Sequence, residues 1–322
     1  MTTTLESGLT RAPLHAVLGA GPAGTALARE LTGRGHEVRL VDRRGAGPAI
    51  EGASRFAADV STVEGARAAV AGADVVHHCV NVAYHLQLEV MPLVQRAVLA
   101  AVEETGARLV VLDTLYPYGE THGEVMTEDT PWRATTRKGL MRAELDRLYL
   151  DAHTEGRVRV VLGRSADFFG PGVLNSTLGG AVFPAALTGG EVPGIGDIDL
   201  PHSYTYIRDV AGGLATLAEH PDAYGRVWHL PTADALTTRQ VFAMIAERAG
   251  RPMKIREIRE PRPFGPFDDV FMAEYAEMFY QHTEGQIVDS SAVREKYGLA
   301  PTPLADALDE TLAWFGALAA AR

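Results

Sequence analysis

Through the first half of the chain, short apolar runs alternate with longer stretches in which apolar residues recur at helical spacing. Residues 15–18, 37–41, 55–60, 74–80, 108–112 and 158–163 read as strands, and 23–34, 61–71, 88–105 and 136–154 as the helices between them. Strands this apolar, each followed by a helix, predict an α/β fold with a parallel sheet covered on both faces. Ligands then belong at the carboxyl ends of the strands, where Gly19, Asp42, Asp59, Val80 and Asp113 fall. Beyond Gly170 the texture changes. Pro184, Gly189, Gly190, Pro193, Gly194, Gly196 and Pro201 punctuate a loop-rich stretch. Isolated strands are expected at 204–207 and 227–230, with a helix over 209–220 between them. Thr237 is placed to cap a helix running to Ala249, and a last helix covers 304–320. Residues 1–12 read as a polar tail, and no repeat or low-complexity segment is evident.

The first strand runs into Gly19-Ala20-Gly21-Pro22-Ala23-Gly24. Gly19 permits a sharp turn, Gly21 lets backbone N–H groups approach a pyrophosphate, and Gly24 lets the following helix lie close on its strand. Pro22 suits the first helical position, where a backbone donor would be unpaired anyway. The second strand ends in Asp42, at the interval where a carboxylate holds a ribose 2′-hydroxyl. Strand, glycine triplet, helix, strand and acid in that order predict a dinucleotide site. Asp42 would repel a 2′-phosphate and so favours NAD. Arg43 and Arg44 follow at once and offer a 2′-phosphate a charge-assisted fork, which leaves NADP open.

Further landmarks are Ala58-Asp59-Val60, Asp74-Val75-Val76-His77-His78, Tyr118-Gly119, Arg164 with Gly170-Pro171-Gly172, Tyr206-Ile207-Arg208-Asp209-Val210, and the stretch from Asp289-Ser290-Ser291 to Tyr297-Gly298-Leu299. In this ordered set the chain resembles the extended short-chain dehydrogenase/reductase family, which contains nucleotide-sugar epimerases, dehydratases and ketone reductases. The resemblance implies a Rossmann-type doubly wound parallel sheet with a smaller mixed α/β substrate domain. The expected division is 1–172 with 203–232 for dinucleotide binding, and 173–202 with 233–322 for substrate. It also implies that Asp59 and Val60 lie beside the adenine, that Asp167 and Phe168 meet nicotinamide and substrate, and that the protein is a homodimer.

Two departures from the family pattern matter. The first turn reads Gly-x-Gly-x-x-Gly where Gly-x-x-Gly-x-x-Gly is usual, although either spacing presents backbone donors at a helix N-terminus. More seriously, the family's Tyr-x-x-x-Lys pair is missing. Aligned on Glu144, Thr136 and Leu140 take the two positions; aligned on Lys138, Ala134 takes the tyrosine's. In the family the tyrosine exchanges a proton with the reacting oxygen, and the lysine and cofactor charge lower its pKa. Counting from Tyr118-Gly119 puts the family's oxygen-orienting hydroxyl at Thr114. Tyr116, two residues on, is expected to share its face if the backbone stays extended. It is the first candidate for the proton, against the alternative that it merely packs under a loop. Lys138 is the second, as a ribose-binding lysine shifted in register or as a group acting on Tyr116, against a solvated lysine. Asn81 and Tyr84 follow the fourth strand and are expected at the nicotinamide pocket, although Asn81 also suits a turn. Val80, Asp167, Phe168 and Tyr204 complete the expected cofactor and substrate contacts, and His202 and Arg208 are polar groups within reach of a substrate. Asp113 is expected to face away from Thr114 in a structural hydrogen bond, and Tyr118 to be structural. Phe264, Phe267, Phe271, Tyr275, Phe279 and Tyr280 fit either an aromatic lid or a small-domain core.

Composition narrows the partners. The formal charge of -11 over 322 residues argues against a nucleic-acid surface, and 46% apolar residues suffice for one large or two smaller cores. Cys79 is the only cysteine, so no intrachain disulfide or thiolate cluster can form. His77 and His78 are adjacent in a strand and point to opposite faces, so they read as core histidines, and no metal site is expected. No secretory or membrane-length apolar stretch appears, and a cytoplasmic protein is expected. The leading expectation is an NAD(P)-dependent oxidoreductase moving hydride between cofactor and a carbonyl or alcohol of a medium-sized organic substrate. The alternatives are a sugar-nucleotide epimerase and a non-catalytic NAD(P) sensor. Sugar 4,6-dehydration fits less well, because Leu115-Tyr116 stand where such members usually carry Asp-Glu.

Overall fold

A computed structural model describes residues 12–264 and 267–321; the tail expected over 1–12 lies outside them except for Ala12. Seven strands form one parallel sheet: β1 (Leu14–Leu18), β2 (Glu37–Asp42), β3 (Ala53–Ala57), β4 (Val75–His78), β5 (Arg108–Thr114), β6 (Val160–Ser165) and β7 (Val227–His229). Their order is β7-β6-β5-β4-β1-β2-β3. The chain thus winds outward from β1 in one direction and returns to extend the sheet in the other, which makes the fold Rossmann-type and doubly wound.

Alternation along the strands sorts their side chains between two apolar layers. Ala16, Leu18, Val76, Leu109, Val111, Val160 and Leu162 face α2 (Val63–Val70), α3 (Gln87–Thr105) and α4 (Arg137–Thr154). Val17, Val38, Leu40, Val75, Val110 and Val161 face α1 (Pro22–Gly33) and α6 (Ile207–Glu219). With both faces covered, each strand must be apolar throughout, as its sequence is.

A smaller unit is built around α5 (Phe183–Thr188), α7 (Thr238–Ala249) and α10 (Leu304–Ala320), whose Phe183, Phe242, Ile245, Leu308 and Phe315 pack together. Beside them the segments Glu191–Ile195 and Lys254–Ile258 pair in parallel. Thr237 caps α7 as expected, and Gln240 completes a reciprocal capping box. α9 (Ser291–Tyr297) departs from the expected grouping: its Val293 packs on the α1 and α6 face of the large sheet. Of the two strands expected to stand alone, Val227–His229 instead joins the main sheet as β7, while the one at 204–207 stays outside it. Tyr204–Tyr206 pairs with Asp167–Phe169 and not with the main sheet, which brings the loop-rich middle of the chain to the carboxyl end of β6. No helix among the described residues is long and apolar enough to cross a membrane.

Candidate active site

The glycine turn after β1 is built as the fingerprint requires. Gly19 has φ +101°, and a Cβ there would stand 2.8 Å from the Cys79 carbonyl oxygen. A Cβ on Gly24 would stand 1.8 Å from the Gly19 carbonyl oxygen, so only glycine lets α1 approach. Gly21 is different: it is the N-cap of α1, and a Cβ there would meet nothing within 4 Å. Open space thus lies in front of a helix N-terminus whose first N–H groups have no side-chain cap, with Pro22 and Ala23 as its first residues. That cradle suits a pyrophosphate.

Asp42 closes β2 and accepts from the backbone N–H of Arg44 (2.7 Å) and Gly47 (2.8 Å). Partial burial would raise its pKa, but the N–H groups of Arg44, Ala46, Gly47 and Gly45 outweigh this and hold it below the usual carboxylate range. It is therefore an ionised acceptor at neutral pH. Asp59 follows β3 and is likewise held low, chiefly by Ser61, whose hydroxyl donates to it at 2.6 Å. Val60 beside it is buried, and its side chain joins the α2 layer of the core. Arg43 is exposed. Val80 is half-buried just past β4. Asn81 behaves as an anchor of the following loop: its Oδ1 accepts from Gln87 and from Arg142, both at 3.2 Å.

At the centre of the sheet β5 ends at Thr114, which is half-buried and paired in register with Ser165. The backbone does not stay extended beyond it, because Tyr116–Tyr118 form a turn of 3₁₀ helix. Tyr116 therefore reaches its position by a turn, and not by the two-residue alternation that suggested it. Its hydroxyl lies 2.6 Å from that of Tyr84. Burial pushes the Tyr116 phenol up to about 12, and Tyr84 is raised well above its ordinary value for the same reason. Both tyrosines pack beneath an aromatic segment comprising α8 (Asp269–Tyr275) and the 3₁₀ turns of 276–282, together with Phe264, Phe267, Phe271, Phe279 and Tyr280. The two readings of those aromatics merge: they form a small core whose floor is the candidate site.

Lys138 is not solvated, and its ammonium is engaged by carboxylates and not by Tyr116. Its side chain is 0% exposed, and its ammonium donates to Glu274 (2.5 Å) and Glu277 (2.7 Å) of the aromatic segment. It also lies 5.7 Å from the centre of the Tyr84 ring. The geometry is that of a latch between α4 and the segment over the site. A Lys138→Met variant is expected to lose about 1–3 kcal/mol, since two carboxylates are left facing a vanished cation. Limited proteolysis of the variant should cut faster within 262–283. A shift in NAD affinity at unchanged stability would instead identify a cofactor-binding lysine.

Asp113, Tyr118 and Arg164 form a buried structural cluster under the site. Arg164 donates to Asp113 (2.5 Å) and to Asp146 on α4 (2.8 Å), and its guanidinium lies 4.5 Å from the Tyr118 ring centre. The Tyr118 hydroxyl is 2.6 Å from His229 Nε2, which ties the end of β5 to β7. His77 and His78 are core histidines: His77 pairs with His15 at 2.9 Å, and His78 accepts from the Val80 N–H at 3.2 Å.

Asp167 and its neighbours make the remaining polar cluster. His202 Nε2 lies 3.1 Å from Asp167 Oδ2, and Thr177 donates to the same oxygen at 3.4 Å. Burial would raise the Asp167 pKa, but His202 lowers it further. His282, which no spacing in the sequence singles out, stands beside them with its ring centre 5.1 Å from that of His202, and its Nε2 is bonded to the Tyr275 hydroxyl. Phe168 is half-buried between the α1 and α6 layer of the sheet and the core of the smaller unit, and the Tyr204 hydroxyl is occupied by Thr238 at 2.7 Å. Arg208 pairs with Glu310 at the surface, away from this cluster.

The fold is shared by solved structures with little sequence in common. The dTDP-glucose 4,6-dehydratase DesIV of Streptomyces venezuelae, solved with NAD, is 19% identical over 94% of this chain and 96% of its own, with a TM-score of 0.78. MoeE5 in complex with UDP-glucuronic acid and NAD is 22% identical over 95% and 100%, with a TM-score of 0.78. The UDP-glucose 4-epimerase of Thermotoga maritima, solved with UDP-glucose, is 18% identical over 95% and 99%, with a TM-score of 0.77. No curated protein matches the chain. The family model that does match spans residues 16–230, from the first strand through the seventh, and by it the chain belongs to the NAD dependent epimerase/dehydratase family.

Proposed function

We propose that this protein is an NAD-dependent oxidoreductase that reduces the carbonyl of a medium-sized organic substrate, with Thr114 orienting the reacting oxygen and Tyr116 donating the proton. The reduced cofactor, NADH, would supply the hydride when bound and leave as NAD⁺, the proton coming from Tyr116. Gly21 and the first turn of α1 would hold its pyrophosphate and Asp42 a ribose hydroxyl, with Asp59 and Val60 towards the adenine. The observation that carries the reading is the Tyr84–Tyr116 hydroxyl pair, 2.6 Å apart, half-buried against the aromatic segment and close in sequence to Thr114 at a strand end. A phenol that burial pushes up to about 12, against the lowering by Tyr84 and the Arg142 charge, stays protonated at neutral pH. It is therefore an acid in waiting, which favours reduction over oxidation. An aromatic cover that limits access of water favours the phenol over solvent as the immediate proton source.

Sugar nucleotides are the second reading, supported by the names of the structural neighbours, which include a dTDP-glucose dehydratase and a UDP-glucose epimerase. An epimerase must also run the oxidative half-reaction, and a tyrosine this hard to ionise works against it. The test of the cofactor assignment is Asp42→Arg, followed by isothermal titration with NAD. Losing a hydrogen bond to a charged acceptor is expected to weaken binding about 10- to 150-fold. Unchanged affinity in a variant of normal melting temperature sinks the assignment. Tight NAD binding by a wild type inert towards aldehydes, ketones and sugar nucleotides alike would instead favour the sensor.

A further inference from the structure

We propose that Asp167, His202 and His282 form a binding site for one divalent transition-metal ion of the zinc class, at the strand ends that carry Thr114 and Ser165. One ligand atom from each residue lies within 4.8 Å of the others. Ligands 2.0–2.2 Å from a tetrahedral ion stand roughly 3.4 Å apart, so the Asp167–His202 pair at 3.1 Å is already at coordinating distance. The whole set closes on an ion by a shift of about 1 Å.

Three further features favour a built site over a chance encounter. The ligands come from three segments that backbone bonds already hold together. Tyr204 pairs with Asp167 between parallel strands. Gln286 N–H donates to the Pro201 carbonyl at 2.9 Å and Ser203 N–H to that of Gln286 at 2.8 Å, so His202 and Gln286, four residues past His282, form a parallel bridge. Asp197 N–H donates to the His282 carbonyl at 2.7 Å, where the turn passes so close that a Cβ on Gly196 would stand 2.1 Å from the same oxygen. The donor set is also chemically coherent. Two imidazoles with one carboxylate suit zinc and its neighbours in the first transition row, whereas magnesium and calcium prefer all-oxygen sets. Lastly, outer partners of the kind that orient metal ligands are present: Tyr275 on His282 and Thr177 on Asp167. The histidines are buried, but the Asp167 side chain keeps 30% of its surface exposed, which leaves an open side for a water or substrate oxygen.

Asp167 lies two residues past Ser165, the register partner of Thr114. A cation there would polarise a substrate oxygen as a Lewis acid. That chemical role rests on the proposed carbonyl reduction; metal binding itself does not. The chain lacks the family's tyrosine–lysine pair, and a cation at Asp167 would supply the positive charge that Lys138, committed to Glu274 and Glu277, does not.

The experiment uses the full chain without a histidine tag, stripped with a chelator, and titrated calorimetrically with Zn²⁺ and spectroscopically with Co²⁺. NAD affinity is measured on the same preparation. One equivalent of Zn²⁺ per chain is expected, displacing Co²⁺ with its tetrahedral d–d bands and unaffected by millimolar Mg²⁺. His202→Ala, His282→Gln and Asp167→Asn should each weaken Zn²⁺ by more than about 100-fold, the upper end of what losing an outer partner costs. His85→Ala, on an exposed turn, should bind normally. Circular dichroism of the stripped variants checks that they fold, and any one folded variant suffices for the comparison. Absence of stoichiometric Zn²⁺ in the wild type, or unchanged affinity in a folded ligand variant, overturns the site. Zn²⁺ binding without NAD binding would instead overturn the hydride reading and leave the metal site standing.

Discussion

Replacing Arg164 with leucine is expected to cost about 3–5 kcal/mol of folding stability, a large share of the roughly 5–15 kcal/mol that holds a domain folded. Arg164 is fully buried between Asp113 and Asp146, with Tyr118 and Trp132 on the faces of its guanidinium at 4.5 and 4.6 Å. Leucine leaves two carboxylates buried with no cation. Burial already raises the Asp146 pKa well above 3.8, the Asp113 charge adds to this, and Arg164 is what opposes both. Without it the folded chain must take up a proton at the pair. A group whose folded pKa is raised contributes stability below its unfolded pKa and loses it as pH rises towards the folded value. The deficit of Arg164→Leu should therefore be largest at neutral pH and shrink as pH falls towards 4. Urea denaturation at two pH values measures both effects. The triple variant R164L/D113L/D146L should recover much of the loss, because an apolar cluster of similar volume needs no counter-charge. A deficit below about 1 kcal/mol that does not change with pH would show that the carboxylates find partners elsewhere.

The parts of this molecule legible in its sequence are those fixed by local rules. The glycine triplet announces its turn because each position answers a separate steric demand: Gly24 would otherwise collide with Gly19, and Gly19 needs a positive φ. Strand and helix order follow from periodicity, and the α7 boundary from Thr237. Legibility ends where long-range packing decides. Lys138 is unremarkable in sequence because its partners lie 136 and 139 residues away, on a segment whose docking no periodicity encodes. His282 meets His202 from 80 residues away by the folding-back of an aromatic stretch, so no metal-ligand spacing could reveal the cluster. Tyr116 shows a subtler limit. The residue was legible as a candidate, but the reason offered for it, an extended backbone beyond Thr114, gives way to a 3₁₀ turn. The Tyr-Pro-Tyr-Gly sequence favours such a turn through Pro117, whose φ is fixed and whose N–H is missing.

Tyr116→Phe is expected to lower kcat for carbonyl reduction by about 10²- to 10⁴-fold while leaving NAD affinity unchanged, because it removes the proton donor and keeps the ring that packs under the aromatic segment. The pH profile separates this role from a structural one. Reduction needs the protonated phenol, which persists below a pKa of about 12, so wild-type kcat should hold level on the alkaline side through pH 9 to 10. In the reverse direction the phenolate is the base, and the rate should climb about tenfold per pH unit over the same range. A tyrosine assisted by a nearby lysine would instead turn over near neutrality in both directions. Lys138 is held by Glu274 and Glu277, so that behaviour is not expected here, and the Tyr84 hydroxyl is the first of the groups, ahead of the Arg142 charge, that temper the Tyr116 pKa. Tyr84→Phe should accordingly raise that pKa further, slow oxidation more than reduction, and leave reduction within about tenfold of wild type. Equal slowing of both directions by Tyr84→Phe, or a Tyr116→Phe enzyme with full kcat and an unchanged profile, would move the proton donor off Tyr116 and onto the substrate or a group beside Asp167.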